Sequence, residues 1–162
     1  YMKSGLFIKV CFLNYIFWCI LNNKKSKIGF GGETMLLLGH RGYSDQYSEN
    51  TMLAFSKAIE SGFDGIETDV HKTKDGVLVL CHDEKINRTS DGKGYIKDMT
   101  YEELCAYNFG TKENPQRIPL LKELLELCKG KNVKINLEIK TNKIQYPGIE
   151  LESYQMIKKW GC

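Results

Sequence analysis

The sequence lacks the patterns that identify proteins built around zinc or disulfide bonds. Its six cysteines include no Cys-x-x-Cys pair, and their spacing matches no zinc-binding motif. Single cysteines scattered along a chain of 162 residues are typical of small apolar side chains buried in a reducing compartment. We therefore expect free, mostly buried thiols and a cytoplasmic location.

The chain also lacks a strong excess of charge of one sign. Its formal net charge is +3, and the lysines within residues 1–34 account for all of that excess. The remaining residues are together close to neutral, so they offer little electrostatic attraction to a polyanion. We therefore expect no nucleic-acid partner.

No apolar run is long enough for a standard membrane-spanning helix. The apolar run at residues 6–21 is interrupted by Lys9 and Asn14, whereas a spanning helix needs about 20 apolar residues. We interpret residues 1–34 as a leader outside the folded domain. Residue types with A/T-rich codons dominate this leader. The residues GGETM at 31–35 can be encoded by a ribosome-binding sequence that is followed by a start codon. Both observations favour read-through of an untranslated region.

Two alternatives stay open for this leader. A signal peptide or membrane anchor at residues 6–21 would make the protein secreted or membrane-anchored, although no small-x-small cleavage site follows. A folded extension would instead add residues 1–34 to the domain. Without an anchor, we expect no stable membrane partner.

From Met35 onward, apolar runs alternate with amphipathic stretches, which is typical of an α/β fold. The predicted strands are 35–39, 63–70, 76–83 and 133–140. The predicted helices are 50–62, 100–108, 119–130 and 148–161, with N-terminal caps at Asn50 and Thr100. The second and third strands are too close in sequence for a helix between them. The chain should therefore return through an extended segment with a turn at Asp75-Gly76.

Each predicted strand ends in strongly polar side chains. In a parallel sheet the carboxyl ends of all strands meet at one edge, which is where α/β barrels build their active sites. Residues two apart on one strand also point to the same side of the sheet. The residues at these ends are His40, Arg41, Glu67, Asp69, His82, Asp83, Glu138 and Lys140.

The residue types in this group are suited to the chemistry of a phosphate ester. Three carboxylates packed together need a cation between them to stay ionised, and all-oxygen ligation favours Mg²⁺ or Ca²⁺. Arg41 and Lys140 suit phosphoryl oxygens, and the two histidines can supply an acid and a base near neutral pH. The group therefore predicts metal-assisted hydrolysis of a phosphate ester.

These residues stand within seven motifs that occur in order between Leu36 and about Gly161. The motifs are GHRG, ENT, GIETDV, TKDGVLVLCHD, NRTSDGKGYI, IPLLKELLE and INLEIK. Together they resemble the glycerophosphodiester phosphodiesterase family. The resemblance implies a TIM (β/α)8 barrel of the phospholipase-C-like phosphodiesterase type. It also implies metal-dependent hydrolysis of a small-molecule glycerophosphodiester to sn-glycerol 3-phosphate and an alcohol, in lipid catabolism.

The resemblance also carries roles over to the matching positions. It implies one divalent cation, Mg²⁺ or Ca²⁺, at Glu67, Asp69 and Glu138, an acid and base pair at His40 and His82, phosphate binding at Arg41 and Lys140, and a place for Glu49 near the metal and the substrate glycerol. Two positions depart from the family pattern. Ser48 replaces a proline, and His71 stands where glutamine is common. We expect His71 to face solvent on the return strand.

Only four strands are predicted, whereas a barrel of this family has eight. We therefore expect residues 35–162 to form the N-terminal half of the domain, with a missing C-terminal half-barrel as partner. Four strands cannot close a barrel, so this half alone should be inactive. The open edge of its fourth strand should pair with another chain.

Two other functions remain open at this point. A sister enzyme on the same framework would hydrolyse membrane phospholipids such as lysophospholipids or sphingomyelin. That activity would be favoured by exposed apolar loops at the mouth of the site, and the loop 84–99 contains few apolar residues. The other alternative is a catalytically dead fragment or binding module that keeps only half a barrel.

Overall fold

A computed structural model of the protein describes residues 36–160 and, as backbone only, residues 7–9, 29–30 and 33–34. The strands are β1 (Phe7–Lys9), β2 (Gly29–Phe30), β3 (Glu33–Thr34), β4 (Leu38–His40), β5 (Gly65–Lys72), β6 (Leu78–Leu80) and β7 (Lys134–Ile139). The helices are α1 (Met52–Glu60), α2 (Tyr101–Cys105), α3 (Leu121–Cys128) and α4 (Ile149–Trp160). The predicted α/β class is confirmed.

The main sheet is mixed, and β5 is its central strand. β4 and β7 both run parallel to β5, whereas β6 pairs with it in the antiparallel direction. The turn between β5 and β6 lies at Asp75-Gly76, as predicted, and Gly76 has a φ of 83° there. The expectation that the third predicted strand runs parallel to the others was therefore wrong. A five-residue connection, residues 73–77, brings the chain back beside itself and cannot carry it across the sheet for parallel pairing.

β4 and β6 share one edge of β5, and this arrangement makes room for a site. β4 pairs with Gly65 to Glu67, and β6 pairs with Val70 to Lys72. The two strands point toward each other, so the chain leaves both of them at the level of Glu67 and Asp69. The backbone N–H of Cys81 donates to the carbonyl of Asp69 at 3.1 Å and marks this convergence.

Helix α1 begins one residue later than the sequence predicts. Its N-cap is Thr51, whose hydroxyl accepts from the N–H of Ala54 at 3.2 Å. The predicted cap, Asn50, instead has a φ of 51° and turns its side chain into the sheet. The capping box of α2 is confirmed, because Thr100 and Glu103 bond each other's backbone N–H groups.

Two hydrophobic cores support the sheet. The main core lies between the sheet and helices α1, α3 and α4, and its fully buried side chains include Phe55, Ile66, Leu124, Leu137 and Ile149. The long connection from β6 to α3 builds a second core of its own. This satellite core consists of Val79, Cys81, Ile86, Ile96, Leu104, Phe109 and Ile118. It gives the connection a fixed position beside the site.

The cysteines of the described part match the prediction in part. Cys81, Cys105 and Cys128 are free thiols, and Cys81 and Cys128 are buried as expected. Cys105 is exposed, since it lies at the end of the five-residue helix α2 on the surface. Within residues 36–160 and the three short strands, no helix is long and apolar enough to cross a membrane.

Part of the predicted leader pairs with the sheet. β1 lies parallel to β7, with Phe7 opposite Asn136 and Lys9 opposite Glu138. The edge that we expected to be open therefore carries backbone from residues 1–34. The interpretation of this segment as a leader outside the domain does not predict that pairing. Its other residues, apart from the short β2–β3 ladder, lie outside the described part of the chain.

Candidate active site

Three carboxylates converge on one side of the sheet, where β5 meets β7. Glu67 and Asp69 are two apart on β5, and the register of the two strands places Asp69 opposite Glu138. One oxygen from each of the three lies within 4.8 Å of the others. Asp69 is fully buried, and Glu67 and Glu138 are largely covered. The predicted cluster is therefore assembled in the structure.

The electrostatics of this cluster favour a bound cation. Burial, together with the neighbouring carboxylate of Asp69, raises the pKa of Glu67 to about 7. A divalent cation held by three oxygen ligands would remove the repulsion that raises this pKa, and hard oxygen donors suit Mg²⁺ and Ca²⁺. The donor set of Glu67, Asp69 and Glu138 thus fits a hard divalent cation.

Two cationic side chains border the carboxylates. The ammonium of Lys140 lies 2.9 Å from Asp69 Oδ1 and 2.7 Å from Glu138 Oε1. Burial lowers the pKa of Lys140, but these two carboxylates outweigh burial and raise the pKa above its usual value. Arg41 donates its backbone N–H to Glu67 Oε2 at 3.1 Å, and its Nε lies 3.8 Å from Asp69 Oδ2. Both predicted phosphate ligands therefore stand beside the candidate metal ligands.

The GHRG motif forms a tight turn that holds Arg41 in place. Arg41 itself has a φ of 54°, an uncommon backbone conformation for a residue with a side chain. The N–H of Gly42 donates to the carbonyl of Gly39 at 3.2 Å. A Cβ on Gly42 would lie 2.7 Å from the backbone carbon of Ala54, so only glycine fits beside α1. The two glycines explain the motif by packing, and the turn explains why His40 and Arg41 face the carboxylates.

The two predicted acid–base histidines have different surroundings. His40 Nε2 lies 3.7 Å from Glu67 Oε2. Burial, followed by the charge of Arg41, lowers the pKa of His40 to about 4, so this imidazole is neutral at pH 7. His82 Nδ1 lies 2.6 Å from Asp83 Oδ1. The hydrogen bond from Arg88 is the main reason that the pKa of Asp83 lies well below its usual range, so Asp83 presents a carboxylate to His82.

His71 is buried, so the expectation that it faces solvent was wrong. Its Nδ1 lies 3.1 Å from the hydroxyl of Tyr146, and its Nε2 lies 3.3 Å from the backbone carbonyl of His82. Burial lowers the pKa of His71. The connection that follows β7 places Tyr146 over this end of β5, and strand alternation alone does not reveal that cover.

Glu49 links the cationic side of the site to the satellite core. Its Oε1 accepts from Arg41 Nη1 at 2.9 Å, and both of its oxygens accept from Arg88. Burial would raise the pKa of Glu49, but the hydrogen bonds from Arg88 and the charge of Arg41 lower it overall. Glu49 is therefore a carboxylate between two guanidinium groups.

Comparison with known proteins decides the family. A sequence model described as the glycerophosphoryl diester phosphodiesterase family matches residues 40–160. The chain belongs to this family. A glycerophosphodiester phosphodiesterase of Caldanaerobacter subterraneus is 46% identical over 77% of this chain and 53% of its own length. One of Bacillus altitudinis is 46% identical over 75% of this chain and 52% of its own length. The predicted resemblance is confirmed.

Solved structures of this phosphodiesterase family share the fold. The glycerophosphodiester phosphodiesterase of Agrobacterium tumefaciens matches with a TM-score of 0.68 at 29% identity, covering 76% of this chain and 52% of that one. An Oleispira antarctica phosphodiesterase, solved in complex with the product sn-glycerol-3-phosphate, matches with a TM-score of 0.66 at 30% identity, covering 78% and 51%. The chain spans about half the length of the relatives it matches.

The eight predicted site residues lie in one contact network. They are His40, Arg41, Glu49, Glu67, Asp69, His82, Glu138 and Lys140. The sequence reasoning missed two further members. Asn50 donates to Asp69 Oδ2 at 3.1 Å and accepts from the hydroxyl of Thr68 at 2.6 Å. Arg88 joins Glu49 to Asp83. Asn50 lies in the ENT motif and Arg88 in the NRTSDGKGYI motif, and these motifs were the sequence signal that could have identified both residues.

Proposed function

We propose that the chain carries the catalytic half of a metal-dependent phosphodiesterase that hydrolyses glycerophosphodiesters to sn-glycerol 3-phosphate and an alcohol, in lipid catabolism. The observation that carries this proposal is the convergence of three carboxylates, two cationic side chains and two histidines in one network at an edge of the sheet. The names of the relatives and the product in the Oleispira structure supply the substrate class.

In this proposal Glu67, Asp69 and Glu138 hold one divalent cation, Mg²⁺ or Ca²⁺. Such a cation, when bound, acts as a Lewis acid and neutralises charge on the phosphoryl oxygens. Arg41 and Lys140 bind the phosphate from the two sides of the carboxylate cluster. They are already fixed by Glu49, Asp69 and Glu138, so little side-chain entropy is lost when substrate binds.

His40 and His82 move the protons. His40 is neutral at pH 7, so its ring nitrogen can accept a proton. In His82 the carboxylate of Asp83 fixes the proton on Nδ1, which leaves Nε2 as the atom that exchanges a proton with substrate. One histidine takes the proton of the nucleophile, either water or the glycerol hydroxyl of the substrate. The other, in its doubly protonated form, gives a ring proton to the leaving alkoxide and becomes neutral.

We also propose that residues 35–162 correspond to the first half of a TIM (β/α)8 barrel. The structural matches cover about three quarters of this chain and half of each relative, which supports this placement. The turnover proposed here then belongs to a barrel that a C-terminal half completes, and residues 35–162 by themselves are inactive. The second half supplies the wall that keeps the site in its working geometry.

A chimaera tests the proposed function. Residues 35–160 replace the matching half of the Caldanaerobacter relative, to which the chain is 46% identical. We expect this chimaera to release glycerol 3-phosphate from sn-glycero-3-phosphocholine in the presence of Mg²⁺ or Ca²⁺. His40→Ala or His82→Ala in the chimaera should lower turnover by about 10²–10⁴-fold while leaving metal binding intact.

The parent relative serves as the positive control for this assay. A folded chimaera without turnover, beside an active parent, would overturn the assignment of catalysis to this chain. Hydrolysis of lysophosphatidylcholine in place of glycerophosphocholine would instead identify the sister activity on membrane phospholipids.

A further inference from the structure

One arginine side chain bridges two carboxylates from different connections of the fold, Asp83 after β6 and Glu49 between β4 and α1. Arg88 donates from Nη1 to Glu49 Oε2 at 2.7 Å and from Nη2 to Glu49 Oε1 at 2.8 Å. It also donates from Nε to Asp83 Oδ2 at 2.8 Å and from Nη2 to Asp83 Oδ1 at 3.1 Å. The guanidinium thus uses two of its edges, one on each carboxylate.

Each of these carboxylates continues to a residue of the proposed catalytic site. Asp83 lies 2.6 Å from His82 Nδ1, and Glu49 accepts from Arg41 Nη1 at 2.9 Å. The proton-transferring side and the phosphate-binding side are therefore connected through Arg88. Arg88 touches neither the candidate metal ligands nor the two histidines in any contact seen among the described residues.

The chemistry of this bridge is specific to arginine. A planar guanidinium presents five N–H donors in a fixed fork, so it can bind two carboxylates in a bidentate manner at once. A lysine ammonium is a point charge on a flexible stem and cannot hold both carboxylates in fixed orientations. Charge alone at position 88 is therefore not sufficient.

The backbone that carries Arg88 is fixed by the satellite core. Ile86 is fully buried there, and its carbonyl accepts from the N–H of Thr89 at 3.2 Å and from the N–H and hydroxyl of Ser90 at 3.0 and 2.8 Å. The turn that presents Arg88 is thus closed on a buried anchor. The backbone position of Arg88 is therefore set by the packing of the satellite core.

Without Arg88, the Asp83 carboxylate would keep, among the described residues, its contact with His82, and the Glu49 carboxylate would keep its contact with Arg41. An unanchored Asp83 carboxylate can rotate, and the Nδ1–H tautomer of His82 then loses its fixed acceptor. The alternative tautomer places the single proton of the neutral ring on Nε2, so this nitrogen can no longer take up a proton, either as a base or when an acid is recharged.

We propose that Arg88 is a positioning residue that, through Asp83, fixes the tautomer of His82 and, through Glu49, fixes Arg41. It thereby couples the satellite core to both sides of the site. The role in turnover rests on the proposed function. The tautomer of His82 does not, and it can be measured in a chain that has no turnover.

The test is side-chain ¹⁵N NMR of the full chain in mildly alkaline buffer. The sequence has three histidines, His40, His71 and His82, so each spectrum can be assigned by single His→Gln substitutions. In the wild type we expect His82 to carry its proton on Nδ1. In Arg88→Ala the Nδ1 resonance should move toward that of a non-protonated ring nitrogen, and Asp83→Asn should give the same change.

Arg88→Lys keeps the positive charge and should not restore the wild-type spectrum, because the fork is lost. It also keeps the test valid if Arg88→Ala fails to fold. Arg117→Ala is the matched control. Arg117 lies on the same connection as Arg88 and binds Tyr101 and the α3 residue Glu123 in a comparable fork. The two arginine side chains have similar exposure, 49% for Arg88 and 48% for Arg117. Arg117→Ala should leave the His82 resonances unchanged.

Three results would overturn the proposal. They are a wild-type His82 protonated on Nε2, a His82 spectrum that Arg88→Ala does not alter, or an equal change in Arg117→Ala. A chimaera that folds but shows no turnover would count against the proposed function only, because the ¹⁵N readout does not depend on hydrolysis.

Discussion

At the scale of single residues, the site carries more negative than positive charge. Glu49, Glu67, Asp69 and Glu138 stand against Arg41 and Lys140, and Arg88 is shared with Asp83. Buried like charges at this spacing destabilise the folded chain unless a cation binds among them. The stability of the protein should therefore depend on divalent metal.

Divalent metal should raise the thermal midpoint of the full chain. A concentration of Mg²⁺ or Ca²⁺ one hundred times the dissociation constant adds about 2.7 kcal/mol, which corresponds to about 5–10 °C for a domain of this size. Asp69→Asn should abolish the increase, and EDTA should reverse it in the wild type. Glu126→Gln removes an exposed carboxylate on α3 and should leave the increase intact. Differential scanning calorimetry measures these shifts, and an unchanged increase in Asp69→Asn would contradict the assignment.

The buried contacts of His71 should contribute to stability through hydrogen bonding. His71→Leu leaves the hydroxyl of Tyr146 and the carbonyl of His82 without their partner, and we expect a loss of about 1–3 kcal/mol in the free energy of unfolding. His71→Gln keeps a donor and an acceptor and should cost less than about 1 kcal/mol. Urea denaturation of both variants gives the comparison. Equal losses would show that ring packing, not hydrogen bonding, is what His71 contributes.

At the scale of elements, the turn between β4 and α1 sets the direction of Arg41 by close packing. Gly42 and Gly76 both have a φ of 83°, but their surroundings differ. A Cβ on Gly42 would meet the backbone of Ala54 at 2.7 Å, whereas a Cβ on Gly76 would have, among the described residues, only Lys72 Cε within 4 Å, at 3.7 Å. Substitutions at the two glycines therefore distinguish the cost of backbone strain from the cost of a steric clash.

Gly76→Ala should cost about 1–2 kcal/mol, the strain of a left-handed alanine. Gly42→Ala should cost that amount plus about 1–3 kcal/mol more, because α1 must shift to admit the methyl group. Denaturant titrations of the two variants measure the difference directly. Similar losses at both positions would mean that the contact with α1 does not constrain the turn.

The start of α3 should show an acid-sensitive contribution from Glu123. Its carboxylate accepts from the N–H of Leu120 at 3.0 Å and from Arg117. Burial raises the pKa of Glu123, but these hydrogen bonds lower it overall. A lowered pKa means that the stabilisation is present above the usual glutamate value and is lost as the pH falls through the folded-state pKa.

Glu123→Gln should therefore reduce the free energy of unfolding by about 0.5–1 kcal/mol at neutral pH, a range typical of a partly exposed ion pair. The difference from the wild type should shrink as the pH is lowered from about 5 to about 3. Urea titrations across this range test the sign. A constant difference at every pH would assign the effect to helix propensity instead.

At the scale of the whole molecule, the edge of β7 is a surface on which the sheet can be extended by further strands. In the structure β1 pairs there in the parallel direction, opposite Asn136 to Glu138. An uncovered strand edge presents unpaired N–H and C=O groups that bind other strands. Self-association should therefore depend on whether residues 7–9 are present.

A chain that begins at Met35 should self-associate more strongly than the full chain. Ile8→Pro in the full chain should act in the same direction, because proline removes a backbone donor and is excluded from paired strand positions. Sedimentation velocity over a range of concentrations measures the effect. A monomeric chain from Met35 at all concentrations would show that β1 does not protect this edge.

The sequence by itself determined the family and the α/β class, and it predicted the candidate site residues that the structure brings together. Its local patterns were sufficient for this, because alternation along one strand already places Glu67 and Asp69 on the same side. A capping box needs only the four residues from Thr100 to Glu103, and it was predicted correctly. Each of these features depends on residues that are close together in the chain.

Only the tertiary structure decided the features that depend on distant contacts. In the structure β6 runs antiparallel to β5, and Asn50 binds Asp69 instead of capping α1. His71 is buried under Tyr146, 75 residues away. The tertiary structure also brings Arg88 to Glu49 across 39 residues of sequence. Local propensity and periodicity contain no information about such partners. Their positions follow from how the satellite core and the connection after β7 pack against the sheet.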